Sequence, residues 1–325
     1  MSQIPVAAAA VNEQTSANGA AIEFVGLTKR YTGDHLALDS LTLSVPQSSV
    51  FGYLGPNGAG KTTTIRLMLD LLRPTSGSVS VFGVDCNADG PAIRGRIGYL
   101  PGDLNLYPSF TGESMLRFFG ALRENHIRWD YVRDLCGRLD IELDRPTREL
   151  SHGNKQKVGI VLALMAEPDL IILDEPTNGL DPLAQHHVME ILREVSARGS
   201  TVFFSSHNLS EVEGICDQVA IIRRGRLVAV ERVEELTSRT ITRVRMTFAA
   251  APAADAFAGV GEAREIRRSD GGRLIELEIA GEVDGAIKAA ARHHMVSIET
   301  ERPSLEDTFL AMYEEGPSAE EGEDA

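Results

Sequence analysis

Cysteine is scarce in this sequence. Three residues, Cys86, Cys136 and Cys216, are spread over 325 positions and fall in no metal-ligand spacing. That excludes a disulfide scaffold and a cysteine-built zinc site, and it predicts reduced core thiols in a cytosolic protein. Positive charge is also thin: 32 Lys and Arg stand against 47 Asp and Glu, a net charge of -15. A DNA- or RNA-binding face, which is usually basic, is disfavoured on that ground. No apolar run reaches the roughly 20 residues that a membrane-spanning helix needs. The longest, such as GIVLALMA, are far shorter. The opening MSQIPVAAAAVNEQTSANGA has neither a basic start nor a sustained apolar stretch, so it does not read as a secretory signal. Residues 1–20 are expected to form a disordered leader, and residues 314–325, EEGPSAEEGEDA, an acidic disordered tail.

What is present is a globular composition, with 43% hydrophobic and 24% charged residues. The length allows two domains. From Ala21 to about Val45, AIEFVGL and LALDSLTLSV suggest antiparallel strands with a turn near TGDH. From Val50 to about Ser206, short apolar strands (VFGYLG, RIGYL, LIILD, TVFFS) alternate with helices. The helices repeat apolar residues at helical spacing: Ile65, Met68, Leu69, Leu72; Met115, Phe118, Phe119, Leu122; Val188, Ile191, Leu192, Val195. This alternation predicts an α/β fold with a mainly parallel sheet covered by helices. VAIIRRGRLVAV reads as a hairpin turning at Arg224-Gly225. After about Thr237 the order becomes β-α-β-β-α-β plus a last helix, SLEDTFLAMY, which predicts a small ferredoxin-like α+β domain. In that reading AADAFAGV is a short helix.

GPNGAGKTTT carries the strongest chemical signal. It fits G-x-x-x-x-G-K-[ST] through Gly55, Gly60, Lys61 and Thr62, after a strand and at the start of a helix. Such a loop, with Asn57, Gly58 and Thr63 inside it, wraps backbone N–H groups around phosphate oxygens. Lys61 neutralises the β- and γ-phosphates, and Thr62 offers its hydroxyl to Mg²⁺. LIILDEP then ends a buried strand on two adjacent carboxylates. Burying charge without a partner is costly, so Asp174 reads as a Mg²⁺ holder and Glu175 as a general base for the attacking water. His207, in SSHNLSEVE, stands where a strand gives way to a helix, at the carboxyl edge where ligands sit in open α/β sheets. A lone histidine is as a rule structural; that position favours a γ-phosphate contact. Tyr31 would stack on adenine or pack against its own segment. LSHGNKQKV opens a helix with Ser151 and Asn154 as cap candidates and a face of Val158, Val161, Leu162 and Met165. Its serine, glycine and helix N-terminus suit an anion.

These motifs in this order resemble the nucleotide-binding subunits of ABC transporters, over roughly residues 21–235. The resemblance implies a P-loop NTPase of ABC type, with an antiparallel β subdomain and a helical subdomain, that binds ATP and Mg²⁺. The expected domains are then 21–236 for nucleotide binding and 237–313 for the accessory α+β unit. It also implies that Ser151 and Gly153 are signature-loop residues, that Asp181 belongs to the loop after the catalytic glutamate, and that His207 is the switch histidine. The family signature is usually LSGGQ; here His152 and Asn154 replace two of its residues. Such variants, and a C-terminal unit ending PSLEDTFLAMYEE, look like those of drug and antibiotic exporters with separate membrane subunits. In that setting the C-terminal unit would serve dimer contacts or regulation. The implied partners are transmembrane permease subunits and a second copy of the chain, at the cytoplasmic face of the membrane. One position departs from the family: the glutamine expected after IGYLP is Gly102. Asp103, next along, would supply a hard oxygen to Mg²⁺ or cap its own turn. The loop from Gly102 to Thr111 is expected near the docking groove for the membrane partner. Two other classes fit less well. DNA-working relatives carry a long coiled coil that finds no room between Lys61 and Ser151, and ribosome-binding relatives carry two such domains. A non-hydrolysing sensor is disfavoured by the presence of both Glu175 and His207.

Overall fold

The computed structural model describes residues 19–301, apart from 34, 124–126, 239–240, 259, 261–262 and 281–282. The chain divides into two compact units, one up to Glu231 and one from Arg232. In chain order the first contains β1 (Ala20–Arg30), β2 (Leu36–Pro46), β3 (Val50–Leu54), α1 (Lys61–Met68), β4 (Ser76–Val81), β5 (Val84–Asp85), α2 (Gly90–Arg94), β6 (Ile97–Leu100), α3 (Gly112–Ala121) and α4 (Trp129–Arg138). It continues with α5 (His152–Leu164), β7 (Leu170–Asp174), α6 (Pro182–Ala197), β8 (Thr201–Ser206), α7 (Leu209–Ile215), β9 (Gln218–Arg223) and β10 (Arg226–Arg232).

Two sheets result. One has the order β2-β1-β4-β5 and is antiparallel; the other has the order β10-β9-β3-β8-β7-β6. Strands β3, β8, β9, β7 and β6 of the second run parallel. The antiparallel expectation for residues 21–45 holds, but the sheet also recruits β4, which the alternation had left unassigned. SVSV is a short strand of small residues, and only its pairing with β1 (Phe24 opposite Val79) makes it visible. Helix α1 lies between the sheets: Ile65, Leu67 and Met68 join one core with Phe24, Leu38, Leu43 and Val79 on one side and Phe51, Tyr53, Ile172 and Phe203 on the other. Each such side chain withdrawn from water contributes about 1.5–3 kcal/mol, so this core fixes α1 and the loop that precedes it. The hairpin at Arg224-Gly225 forms as expected, with φ of 47° and 78°, the left-handed pair that matches strand twist.

Two helical expectations change. Helix α5 is apolar on nearly every side rather than on one face, with Val158, Gly159, Ile160, Val161, Ala163 and Leu164 all buried. It is wedged among neighbours: a Cβ on Gly159 would lie 2.5 Å from Leu104 Cδ2 and 2.6 Å from Leu100 Cδ1. In α3, Met115 is buried, but Phe118, Phe119 and Leu122 are 40%, 37% and 65% exposed. The periodicity there marks an outward face. All three cysteines are free and buried, as expected, and burial pushes the Cys136 thiol up to about 11.

The second unit holds α8 (Val233–Ser238), β11 (Ile241–Phe248), β12 (Ala263–Ser269), β13 (Leu274–Ala280), α9 (Asp284–Ala290) and β14 (Met295–Glu301). Its antiparallel sheet has the order β12-β13-β11-β14, which is that of a split β-α-β unit. Val244, Met246, Phe248, Ile275, Leu277 and Ile279 form its own core with α9. AADAFAGV does not form the expected helix: four-residue turns such as that closed by Ala256 N to Ala253 O replace it. Pro252 before it and Gly259 within it leave too short a run to nucleate one. The expected last helix, SLEDTFLAMY, and both terminal segments, 1–18 and 302–325, lie outside the described residues. Among the described residues no helix is long and apolar enough to cross a membrane.

Candidate nucleotide site

The parallel register brings three strand ends together. Leu54 of β3 pairs with Ser206 of β8, and Asp174 of β7 pairs with Ser205. The loop after β3, the carboxylates after β7 and the histidine after β8 therefore emerge side by side. Gly55 N donates to Ser206 O at 3.2 Å, and Glu175 N to Ser205 O at 3.2 Å. The phosphate loop closes on Gly60, whose φ is 110° and where a Cβ would sit 2.7 Å from Ala37 O. Only glycine takes that conformation and that approach without strain. Helix α1 then starts at Lys61, so the N–H groups around Thr62 and Thr63 point out of the helix N-terminus toward the loop.

Lys61, 5% exposed, places Nζ 2.6 Å from Gly55 O, 3.3 Å from Pro56 O and 3.3 Å from Glu175 Oε1. The other oxygen of Glu175 lies 3.3 Å from His207 Nδ1. One carboxylate thus spans the phosphate-loop lysine and the histidine, although the three residues come from three separate loops. Glu175 holds a left-handed backbone, φ 51°, a conformation that costs about 1–3 kcal/mol outside glycine. Such strain, held by its surroundings, is characteristic of functional positions.

Asp174 is 2% exposed. Its Oδ2 accepts from the Thr62 hydroxyl at 2.8 Å and its Oδ1 from the Ser205 hydroxyl at 2.5 Å. The oxygens of this buried carboxylate, with that of Thr62, form the hard donor set that Mg²⁺ prefers. The Gly102 backbone passes directly over this carboxylate: a Cβ there would be 3.3 Å from Asp174 Cγ. Asp103 is exposed, and neither hydroxyl bond of Asp174 involves it.

Tyr31 stands at the rim. Its hydroxyl is 3.5 Å from Thr63 Oγ1, its ring stacks on His35 at 6.4 Å, and Lys29 Nζ lies 5.4 Å over it. Ser151, Gly153 and Asp181 meet elsewhere, around a cavity of about 360 Å³ shared with Lys157 and Gly179. Ser151 caps α5 by accepting from Asn154 N at 3.2 Å. Asp181 caps α6 by accepting from Leu183 N and Ala184 N at 3.1 and 3.0 Å. Those bonds, that from Ala184 foremost, hold its carboxyl below the usual carboxylate range.

Three contributors escaped the motifs. Ser205 is inside SSH, where only the histidine drew notice. Gln156, 2% exposed, donates from Nε2 to both Glu175 O and Pro176 O at 3.2 Å. Glu211 accepts from the Thr177 and Ser206 hydroxyls, each at 2.6 Å, tying the loop after Glu175 to the strand before His207. The available signal for Gln156 was a polar residue four positions before Ile160, on a side of α5 that proves buried.

A phosphate loop at the carboxyl edge of a parallel sheet, facing adjacent acid residues at the end of the strand two places along, defines a P-loop nucleoside-triphosphatase cassette. The comparisons narrow the class. The family profile described as ABC transporter matches residues 38–178. The Nod factor export ATP-binding protein I of Ralstonia nicotianae is 38% identical over 220 residues, covering 66% of this chain and 68% of that protein. The linearmycin resistance ATP-binding protein LnrL of Bacillus subtilis is 30% identical over 305 residues, covering 87% and 95%. A solved ATP-binding subunit of an ABC transporter superposes with a TM-score of 0.61 at 34% identity, over 66% of this chain and 91% of that one. A dimeric bacterial ABC transporter cassette shares the fold, with a TM-score of 0.60 at 23% identity over 65% and 98%. The chain belongs to the family of ABC transporter ATP-binding subunits, and it is an ATPase of that type.

Two outcomes are expected from variants at this site. Glu175→Gln keeps ATP binding and loses nearly all turnover, because an amide cannot accept the proton of water; Lys61→Ala weakens ATP binding itself, because it removes the charge set against the phosphates. Steady-state phosphate release and nucleotide titration on the purified chain separate the two, and normal turnover by Glu175→Gln would refute the general-base assignment. Asp103→Ala raises the Mg²⁺ concentration for half-maximal ATPase if Asp103 reaches the ion on closure; an unchanged Mg²⁺ titration leaves it a turn residue.

Proposed function

We propose that this chain hydrolyses ATP to power export of a drug, antibiotic or other hydrophobic compound through separate transmembrane permease chains, from the cytoplasmic face of the membrane. The observation that carries the reading is the Lys61–Glu175–His207 cluster, a carboxylate held against the phosphate loop, where it would activate water. The cargo class is supported by the relatives, one named for Nod factor export and one for linearmycin resistance. Thr62 and Asp174 would hold Mg²⁺, which neutralises charge on the β- and γ-phosphates. Tyr31 would stack on the adenine, and His207 would sense the γ-phosphate. Residues 21–236 would be the nucleotide-binding domain. Residues 237–313 would be an accessory domain for dimer contacts or regulation.

An apolar surface supports the permease partner. Tyr107 packs at 5.4 Å on Phe110 and at 6.0 Å on Phe118, and Tyr107, Phe118, Phe119 and Leu122 are all well exposed. In a chain of net charge -15, a contiguous aromatic patch marks a docking surface. The chain should copurify from detergent extract with a strongly apolar transmembrane chain. Phe118→Asp should abolish this while leaving ATP binding intact, and copurification unaffected by that change would remove the patch from the interface.

The cavity around Ser151 and Gly153 supports a second copy, because its lining contains none of Lys61, Thr62, Asp174, Glu175 or His207. Two chains related by a two-fold axis would each offer a phosphate loop to the other's Ser151, as the dimeric cassette of like fold allows. The test is a crosslink between Asn57→Cys and Ser151→Cys after Cys86, Cys136 and Cys216 are replaced, with Glu175→Gln to retain ATP. Joined sulfurs need Cα atoms within about 7 Å. Oxidation should give an ATP-dependent chain dimer on a denaturing gel; bonds only within single chains would refute the shared site.

A further inference from the structure

The side-chain amide of Gln156 is buried within α5, and both of its hydrogen bonds go to the backbone around the candidate base. Nε2 lies 3.2 Å from Glu175 O and 3.2 Å from Pro176 O. The other side of Glu175 is tied as well: its amide N donates to Ser205 O at 3.2 Å and to Ser205 Oγ at 3.1 Å. Both peptide units that flank the Glu175 Cα are therefore held. Holding both sets φ and ψ, and with them the direction of the Cα–Cβ bond. That direction delivers the carboxylate to Lys61 and His207. The backbone so held is the left-handed one, φ 51°, which a glutamate would leave for a commoner region once released.

Helix α5 is also the helix whose first turn lines the cavity shared with Gly179 and Asp181, with Ser151 as its cap and Gly153 inside it. Gln156 lies one turn further along. A single helix thus reaches both places, the cavity at its N-terminus and the Glu175 backbone at its buried flank. We propose that Gln156 is a positioning residue for hydrolysis: by donating to two carbonyls it keeps Glu175 aimed at the phosphate loop, and it ties that aim to the seating of α5. The inference rests on the reading that Glu175 is the general base and that Ser151 faces a partner's γ-phosphate. Each chain then reports, through Gln156, the nucleotide that its Ser151 meets to the nucleotide at which its own Glu175 activates water.

The test uses the full chain. Gln156→Met keeps the length of the side chain and removes both donors. It should stay folded and bind ATP with an unchanged KM, while kcat falls by about tenfold to a hundredfold, the scale of a reacting group misplaced by roughly 1 Å. Gln156→Glu sets a carboxylate against the same two carbonyls and should turn over still more slowly at neutral pH. Its protonated form regains one donor, and burial raises the pKa of a carboxyl, so its kcat relative to wild type should recover as the pH is lowered. A residue that only packs α5 would show neither the kcat-without-KM loss nor that pH profile. Wild-type kcat in both variants overturns the inference, provided Glu175→Gln measured alongside is inactive. Turnover by Glu175→Gln would instead refute the base assignment on which it stands. Failure of both Gln156 variants to yield soluble protein would also overturn it, since it would make Gln156 a purely structural tie.

Discussion

The placement of one carboxylate governs this molecule. Glu175 must stand against a lysine and a histidine that arrive from other loops, and it must do so in a backbone conformation that it would not adopt alone. Several parts of the fold meet that demand together. The parallel pairing of β3, β8 and β7 lines up the three strand ends. The core around α1 anchors the helix that follows the phosphate loop, and Ala59 within the loop. Ser205, Gln156 and Glu211 then tie down the chain around Asp174 and Glu175. Hydrogen bonds of about 1 kcal/mol each are individually weak, but arranged on both sides of one residue they outweigh its local strain.

Much of this was legible in the sequence because some chemistry demands adjacency. A phosphate loop needs Gly60, Lys61 and Thr62 in fixed succession, and a strand that ends in Asp174 and Glu175 is short enough to see whole. The α/β class followed from alternation of period. Contacts between distant segments left no such mark. Gln156 and Glu175 are nineteen positions apart, and Thr177 and Glu211 thirty-four. Only the folded chain reveals that they touch.

The helical pattern of Phe118, Phe119 and Leu122 was legible as a face but not as a destination. Periodicity reports that one side of a helix avoids water; it does not report whether the shelter lies in the same chain. The short strand β4 was lost for the opposite reason, since serine-rich SGSVSV carries little apolar contrast and is defined by its neighbour β1. In the second unit, the turns around Phe257 replaced an expected helix because alanine content alone does not nucleate one between a proline and a glycine.

Helix α5 lies so close to the segment before α3 that the hydrogen of Gly159 faces the methyl groups of Leu104 and Leu100 with no layer between them. Close-packed interiors of this kind transmit displacement rather than absorb it. A movement of α5 that begins at Ser151 therefore has nowhere to dissipate before it reaches Leu104, three residues ahead of the exposed ring of Tyr107. Glycine here acts as the missing cushion in a mechanical coupling: the thinner the joint, the smaller the lost motion between helix α5 and the loop that carries the aromatic surface.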